Sequence, residues 1–253
     1  MNLQSVLRVF SLRPGQLKLA LLGSGLAGLG LYRLLYAIGL DGRGLLKSGH
    51  FAWVLLCLVS IAAGVLILSN TLRIRGVGGR PMHSIPAAIA CVAAALATLA
   101  AELDNLIAGP LFYSIPAALA GLAFLIVAVC RLQGRRPNFL LHVVICIHFA
   151  LQLLKLYQTS SIDPQIQDYF FQLLACIFLT VTAYQLASYD LGRGQRRWLY
   201  LSALSAGYLC LVSLGSSPIG IYLAGAAWAF TAIPSPRRRK QQAEETPDIR
   251  VDN

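Results

Sequence analysis

Residues 51–69 read FAWVLLCLVSIAAGVLILS, without one charged side chain. The hydrocarbon core of a bilayer is about 30 Å thick, and a helix rising about 1.5 Å per residue crosses it in about 20 residues. This run has that length. It is too long for the apolar region of a secretory signal and too uniform for one face of a soluble domain.

Working outward, further runs of the same kind lie between charged, Gly or Pro punctuation. The spans expected are Leu19–Ile38, Phe51–Ser69, Ile85–Leu103, Leu111–Cys130, Phe139–Tyr157, Tyr169–Ser188, Trp198–Leu214 and Pro218–Ile233. The expected fold class is therefore all-α, a polytopic integral membrane helix bundle of about eight transmembrane helices. Composition agrees: 57% of the 253 residues are hydrophobic and 12% charged, against about 25% charged in an ordinary soluble domain.

A net charge of +11 would raise nucleic-acid binding for a soluble chain. Here the charges sit between spans, where basic residues set topology and meet anionic headgroups, so no nucleic-acid partner is expected. With a cytoplasmic N-terminus, all of the 21 Lys and Arg residues fall on inner segments except Arg33, Arg43, Lys47 and Lys155. Deleting the alanine-rich third span would send the later Arg clusters outside, against the positive-inside rule. Eight spans with both termini cytoplasmic follow.

Three regions are expected: an N-terminal cytoplasmic interfacial segment (1–16), a helix bundle (17–233) and a basic, polar cytoplasmic tail (234–253). Leu3, Val6, Leu7 and Phe10 have the i, i+3, i+4, i+7 spacing of a short surface helix. From Pro234 the chain lacks the apolar content to fold. Its basic block, Arg237 to Lys240, suits anionic lipids of the inner leaflet.

Gly23, Gly25 and Gly28 spell G-x-G-x-x-G, with Asp41 downstream. A dinucleotide site needs a strand before such glycines and a solvent-facing turn, whereas these lie inside a membrane span. Small residues at Ser24, Gly28 and Gly30 instead let another helix approach. The alanines of the third span, Ala87, Ala88, Ala90, Ala94, Ala97 and Ala101, read likewise, and so weakly apolar a helix is expected in the bundle interior. Ser84–Ala88 and Ser114–Ala118 repeat Ser-Ile-Pro-Ala-Ala. Pro86 reads as a first-turn proline, and Pro116 as a proline inside its helix. Cys57, Cys91, Cys130, Cys146, Cys176 and Cys210 are scattered through apolar runs and are expected as free thiols.

The fifth span carries His142, His148, Gln152 and Lys155. The last three, at i, i+4 and i+7, form one stripe from mid-membrane outward. Asp168 and Gln172 enter the sixth span at similar depth, and a short connection favours an antiparallel hairpin. Buried polar groups in a membrane are costly and tend to face a cavity or the bundle interior. His148, Gln152, Lys155, Asp168 and Gln172 are therefore the candidate solute site, with interhelical hydrogen bonding and a snorkelling Lys155 as the structural alternative. His142 does not share the stripe's face.

No catalytic signature, metal-ligand set or cofactor motif is present, so no catalytic residue, metal or cofactor is assigned and no enzyme is expected. The reading is a small transporter or permease-type membrane subunit; the alternative is a noncatalytic assembly component of a membrane complex. The partners expected are a bilayer with anionic inner-leaflet lipids and either another membrane subunit or further copies of this chain. The expected location is a cell membrane, of bacterial plasma-membrane type.

Overall fold

A computed structural model describes residues 14–38, 51–72, 84–108, 111–160, 169–215 and 219–233. Residues 1–13 of the interfacial segment expected at 1–16, and the tail expected from residue 234, lie outside these, while residues 14–16 belong to the first helix. Among the described residues there are eight helices and no strand: α1 (Pro14–Ile38), α2 (Phe51–Thr71), α3 (Ile85–Ala108), α4 (Leu111–Gln133), α5 (Phe139–Ser160), α6 (Phe170–Asp190), α7 (Arg196–Ser213) and α8 (Ile219–Ala232). The protein is a helical membrane bundle. α1, α2, α4, α5 and α6 each contain a stretch long and apolar enough to cross a bilayer.

The helices pack in a closed circuit. α3 lies on α4, α4 on α5, α5 on α6, α6 on α7 and α7 on α8, and α8 returns to α3. The α1–α2 hairpin docks outside this circuit, both of its helices resting on α7. α7 thus touches α1, α2, α6 and α8, and from Leu199 to Ser213 it is buried almost without interruption. That explains how a helix opening on Arg196 and Arg197 and carrying Ser202, Ser205 and Ser213 sits in the bundle: it meets other helices rather than lipid.

The alanine-rich α3 differs from expectation. It is peripheral: Ala87, Ala88, Ala90, Ala94 and Ala95 turn inward, while Ile85, Ile89 and Leu96 are exposed. Small residues bring the backbones of α3 and its neighbours together, and the larger side chains are left for lipid. The interior position expected of α3 belongs to α7.

The two Ser-Ile-Pro-Ala-Ala segments also part company. Ser84 precedes α3 and its Oγ accepts a hydrogen bond from the Ala87 amide at 3.4 Å, a cap that leaves Pro86 in the first turn. Ser114 and Pro116 lie within α4, where Ser114 is buried.

Close approach of α1 to α7 rests on two glycines. A Cβ at Gly25 would stand 2.7 Å from Leu211 Cδ1, and one at Gly28 would stand 2.8 Å from Val212 Cγ2. Gly30, expected at the same contact, has nothing within 4 Å, and Ser24 Oγ donates to its own helix at Leu21 O. Across the circuit, Phe124, Phe149 and Trp228 fill the space between α4, α5 and α8, with ring centroids 5.5 to 6.3 Å apart. Buried hydroxyls such as Thr98, Thr182 and Ser202 donate to carbonyls of their own helices, which lets them sit in an apolar interior at little cost. All six cysteines are free.

Candidate functional site

The polar residues of α5 divide between its two ends. Toward its C-terminus, His148 is 1% exposed, Gln152 and Lys155 are half-buried, and Gln172 of α6 is buried. His148 lies beside the Phe149 ring, at 5.5 Å between centroids, next to the aromatic triad. Lys155 Nζ stands 5.8 Å over the Tyr113 ring of α4, and Tyr113 donates to Gln158 Oε1 at 2.9 Å. α5 and α6 pack along one another, as the expected hairpin requires. Asp168 lies outside the described residues.

The other end of α5 holds a more tightly built group, which the stripe reading passed over. His142, in the first turns of α5, is 1% exposed, and its Nδ1 lies 2.7 Å from Oδ2 of Asp190, the last residue of α6. Arg131, in the last turn of α4, is 6% exposed. It lies within electrostatic reach of Asp190 and of Cys91 on α3. One acid, one imidazole and one guanidinium thus converge from α4, α5 and α6.

Helix endings place these side chains. After α4, Gly134 takes a positive φ of 67° and the Arg135 amide bonds back to Cys130 O at 2.9 Å. After α6, Gly192 has φ 80° and the Arg193 amide bonds back to Ser188 O at 3.0 Å. Both are Schellman-type endings, which require a residue without a Cβ penalty in the left-handed region. They stop α4 and α6 so that Arg131 and Asp190 fall in the final turns. Asn138 Oδ1 then accepts from the Leu140 amide at 3.2 Å and opens α5 four residues before His142 turns inward.

Electrostatics account for the grouping. A guanidinium in the low-dielectric interior is costly alone, and Asp190 offsets it. Imidazole Nδ1 faces the carboxylate at ion-pair distance. His142 Nε2 is buried and has no hydrogen-bond partner among the described residues. His142 Nδ1 and Asp190 Oδ2 likewise form no well-aligned hydrogen bond, so spare polar capacity is a property of the pair and not of Nε2 alone. Around it the chain is basic: Arg135, Arg136, Arg193 and Arg197 line the same end, and Arg196 Nη2 donates to Tyr200 OH at 3.3 Å while stacking on that ring.

Sequence patterning missed this cluster for a definite reason. Arg131 reads as one more topological charge and His142 as off the stripe, and Asp190 attracts no reading at all; nothing local pairs residues 131, 142 and 190. The signal available was that Arg131 directly follows the glycine-free apolar stretch Leu122–Cys130 and that the next glycine is Gly134, which keeps it inside its helix.

No group of three or more His, Cys, Asp or Glu able to hold a metal occurs among the described residues. Comparison with family models, with curated proteins and with solved structures finds no match to the chain.

Proposed function

We propose that this protein is a small permease-type transporter, or the membrane subunit of one, in which Asp190, His142 and Arg131 form an ion-coupling site. The observation that carries the reading is the 2.7 Å contact of His142 Nδ1 with Asp190 inside a membrane bundle. Ionisable side chains held within such bundles commonly serve ion or proton relays, because their burial is otherwise a standing cost. An ion entering there would change the charge balance among His142, Asp190 and Arg131. That change weakens one helix-end contact and strengthens another, which is how a bundle couples ion occupancy to rearrangement.

Orientation follows from the same end of the bundle. Lys18 Nζ in α1 donates to Phe230 O in α8 at 2.9 Å, so the start of the first helix and the end of the last lie together. With the Arg-rich turns after α4 and α6 on the inside, the chain has both termini in the cytoplasm and belongs in a cell membrane. The stripe through His148, Gln152 and Lys155 then lies toward the outer face and supplies the entry side of the path.

The test is flux in vesicles of purified protein with an internal pH dye, challenged with inorganic cations, amino acids, sugars and organic anions in turn. Solute-dependent proton movement, lost in Asp190→Asn and His142→Gln while both stay monodisperse, is expected. The filled centre at Phe124, Phe149 and Trp228 favours the second reading, a noncatalytic component of a membrane assembly. Absence of flux with every class, together with constant co-purification of another chain, would establish that second reading instead.

A further inference from the structure

The donors and charges around His142, Asp190 and Arg131 narrow the kind of ion that this group accepts. Arg131 is buried at the end of α4, whereas Arg135 and Arg136, in the turn that follows, are exposed. The exposed pair is enough to hold that turn on the basic side of the membrane. Topology therefore accounts for Arg135 and Arg136 but not for a guanidinium withdrawn into the bundle.

Acceptors are scarce there. Asp190 is the sole acid among the described side chains, and its one carboxylate serves two bases: Oδ2 lies 2.7 Å from His142 Nδ1, and Arg131 lies within its electrostatic reach. A guanidinium carries five N–H donors and no acceptor. Hard cations such as calcium and magnesium take about six or more oxygen ligands, and this group offers two, beside a fixed positive charge that repels them. A neutral polar solute escapes the repulsion but brings no charge to set against Arg131. An anion meets both needs.

Access has the same sign. The Asp190 side chain is 18% exposed and that of His142 is 1% exposed, so the acid stands at the mouth of the group with the imidazole behind it. Exposed Arg135, Arg136, Arg193 and Arg197 occupy the turns that follow Arg131 and Asp190. Such a rim raises the local concentration of the opposite ion, and Arg or Lys rings line anion paths through membranes. Asp190 is also a replaceable partner. Neither His142 Nδ1 nor Oδ2 makes a well-aligned hydrogen bond, and His142 Nε2 has no partner among the described residues, so charge rather than directed bonding keeps the acid in place.

We propose, building on the ion-coupling reading of this site, that the ion bound here is a small carboxylate, which enters from the basic end and takes the place of the Asp190 side chain against Arg131. The planar guanidinium presents two parallel N–H donors to two carboxylate oxygens, a match that a halide lacks. Asp190 is then a tethered stand-in for the solute. It neutralises the buried guanidinium between binding events, and its release from Arg131 and His142 frees the joined ends of α5 and α6.

A stand-in competes with what it imitates, so removing its charge must tighten binding. Thermal unfolding of the full chain in mild detergent, at constant ionic strength with sodium acetate as the probe and sodium chloride as the reference, tests this. Acetate should stabilise the wild type more than chloride does, and Asp190→Asn should reach the same shift at a roughly tenfold lower acetate concentration. Arg131→Gln should lose the acetate response. Arg131→Lys, which keeps the charge without the fork, should weaken it and covers the case in which Arg131→Gln misfolds. Equal shifts with acetate and chloride in wild type and Asp190→Asn, or an acetate response unchanged in both Arg131 variants, would overturn the proposal. Vesicle flux separates it from the transport reading: acetate binding without flux of any solute removes transport alone, while proton-coupled flux of cations or sugars with no acetate response removes the carboxylate alone.

Discussion

His142 and Asp190 meet at 2.7 Å although one opens α5 and the other ends α6, so the two ends of that hairpin are joined by side chains at its basic face. Arg131 of α4 shares the acid's field. Asp190→Ala should therefore remove a favourable charge from the field of the buried guanidinium and lower stability. Arg131→Met combined with Asp190→Leu should recover most of that loss, because no unpaired charge remains. Thermal unfolding in detergent of the single and double variants measures the difference; a double variant as unstable as the single one would show that the pair does not compensate.

Side of insertion has a direct readout. A Cys placed at Gly194 should be protected from an impermeant thiol reagent in intact cells, and a Cys placed at Gln158, at the other end of the bundle, should be labelled. The reverse pattern would invert the bundle and the coupling direction with it.

Contact of α1 with α7 predicts a sharp contrast between neighbouring glycines. Gly28→Val places a branched side chain against Val212 and should cost about 1–3 kcal/mol or separate the α1–α2 hairpin from α7. Gly30→Ala, two residues on, enters open space and should be neutral or stabilise by about 0.5–1 kcal/mol through helix propensity. Similar losses at both positions, measured by thermal unfolding, would contradict the packing.

Along the α5 stripe, burial falls from His148 to the half-buried Gln152 and Lys155. Cys at Lys155 and at Gln152 should react with a small hydrophilic reagent, and Cys at His148 should not in the resting protein. If none of the three reacts, the stripe does not meet water and serves packing alone.

The helices were legible because long charge-free runs leave few alternatives, and the starts at Phe51, Ile85, Leu111 and Phe139 were each marked by punctuation. Depth within the bundle was not. Whether α3 or α7 lies inside depends on which helices surround each, and alanine content describes only how closely backbones approach. The α1–α7 contact was half readable: Gly28 was recognised, while Gly25 and Gly30 exchange roles because the facing side chains belong to Leu211 and Val212, far along the chain. For the same reason the charged group at residues 131, 142 and 190 left no local pattern, since three helix endings had to be placed before it existed.

The hydrogen bond from Lys18 to Phe230 O joins residues 212 positions apart, and this sets an order of assembly. At roughly 5–20 residues per second of synthesis, α1 enters the bilayer roughly 10–40 seconds before the last helix that it touches has been made. Through most of that interval the glycine face of α1 has only α2 beside it, because α7 is still unmade. Insertion therefore runs ahead of folding: the hairpin first made must wait among lipids, or in the care of the insertion machinery, until the C-terminal helices arrive to seat it.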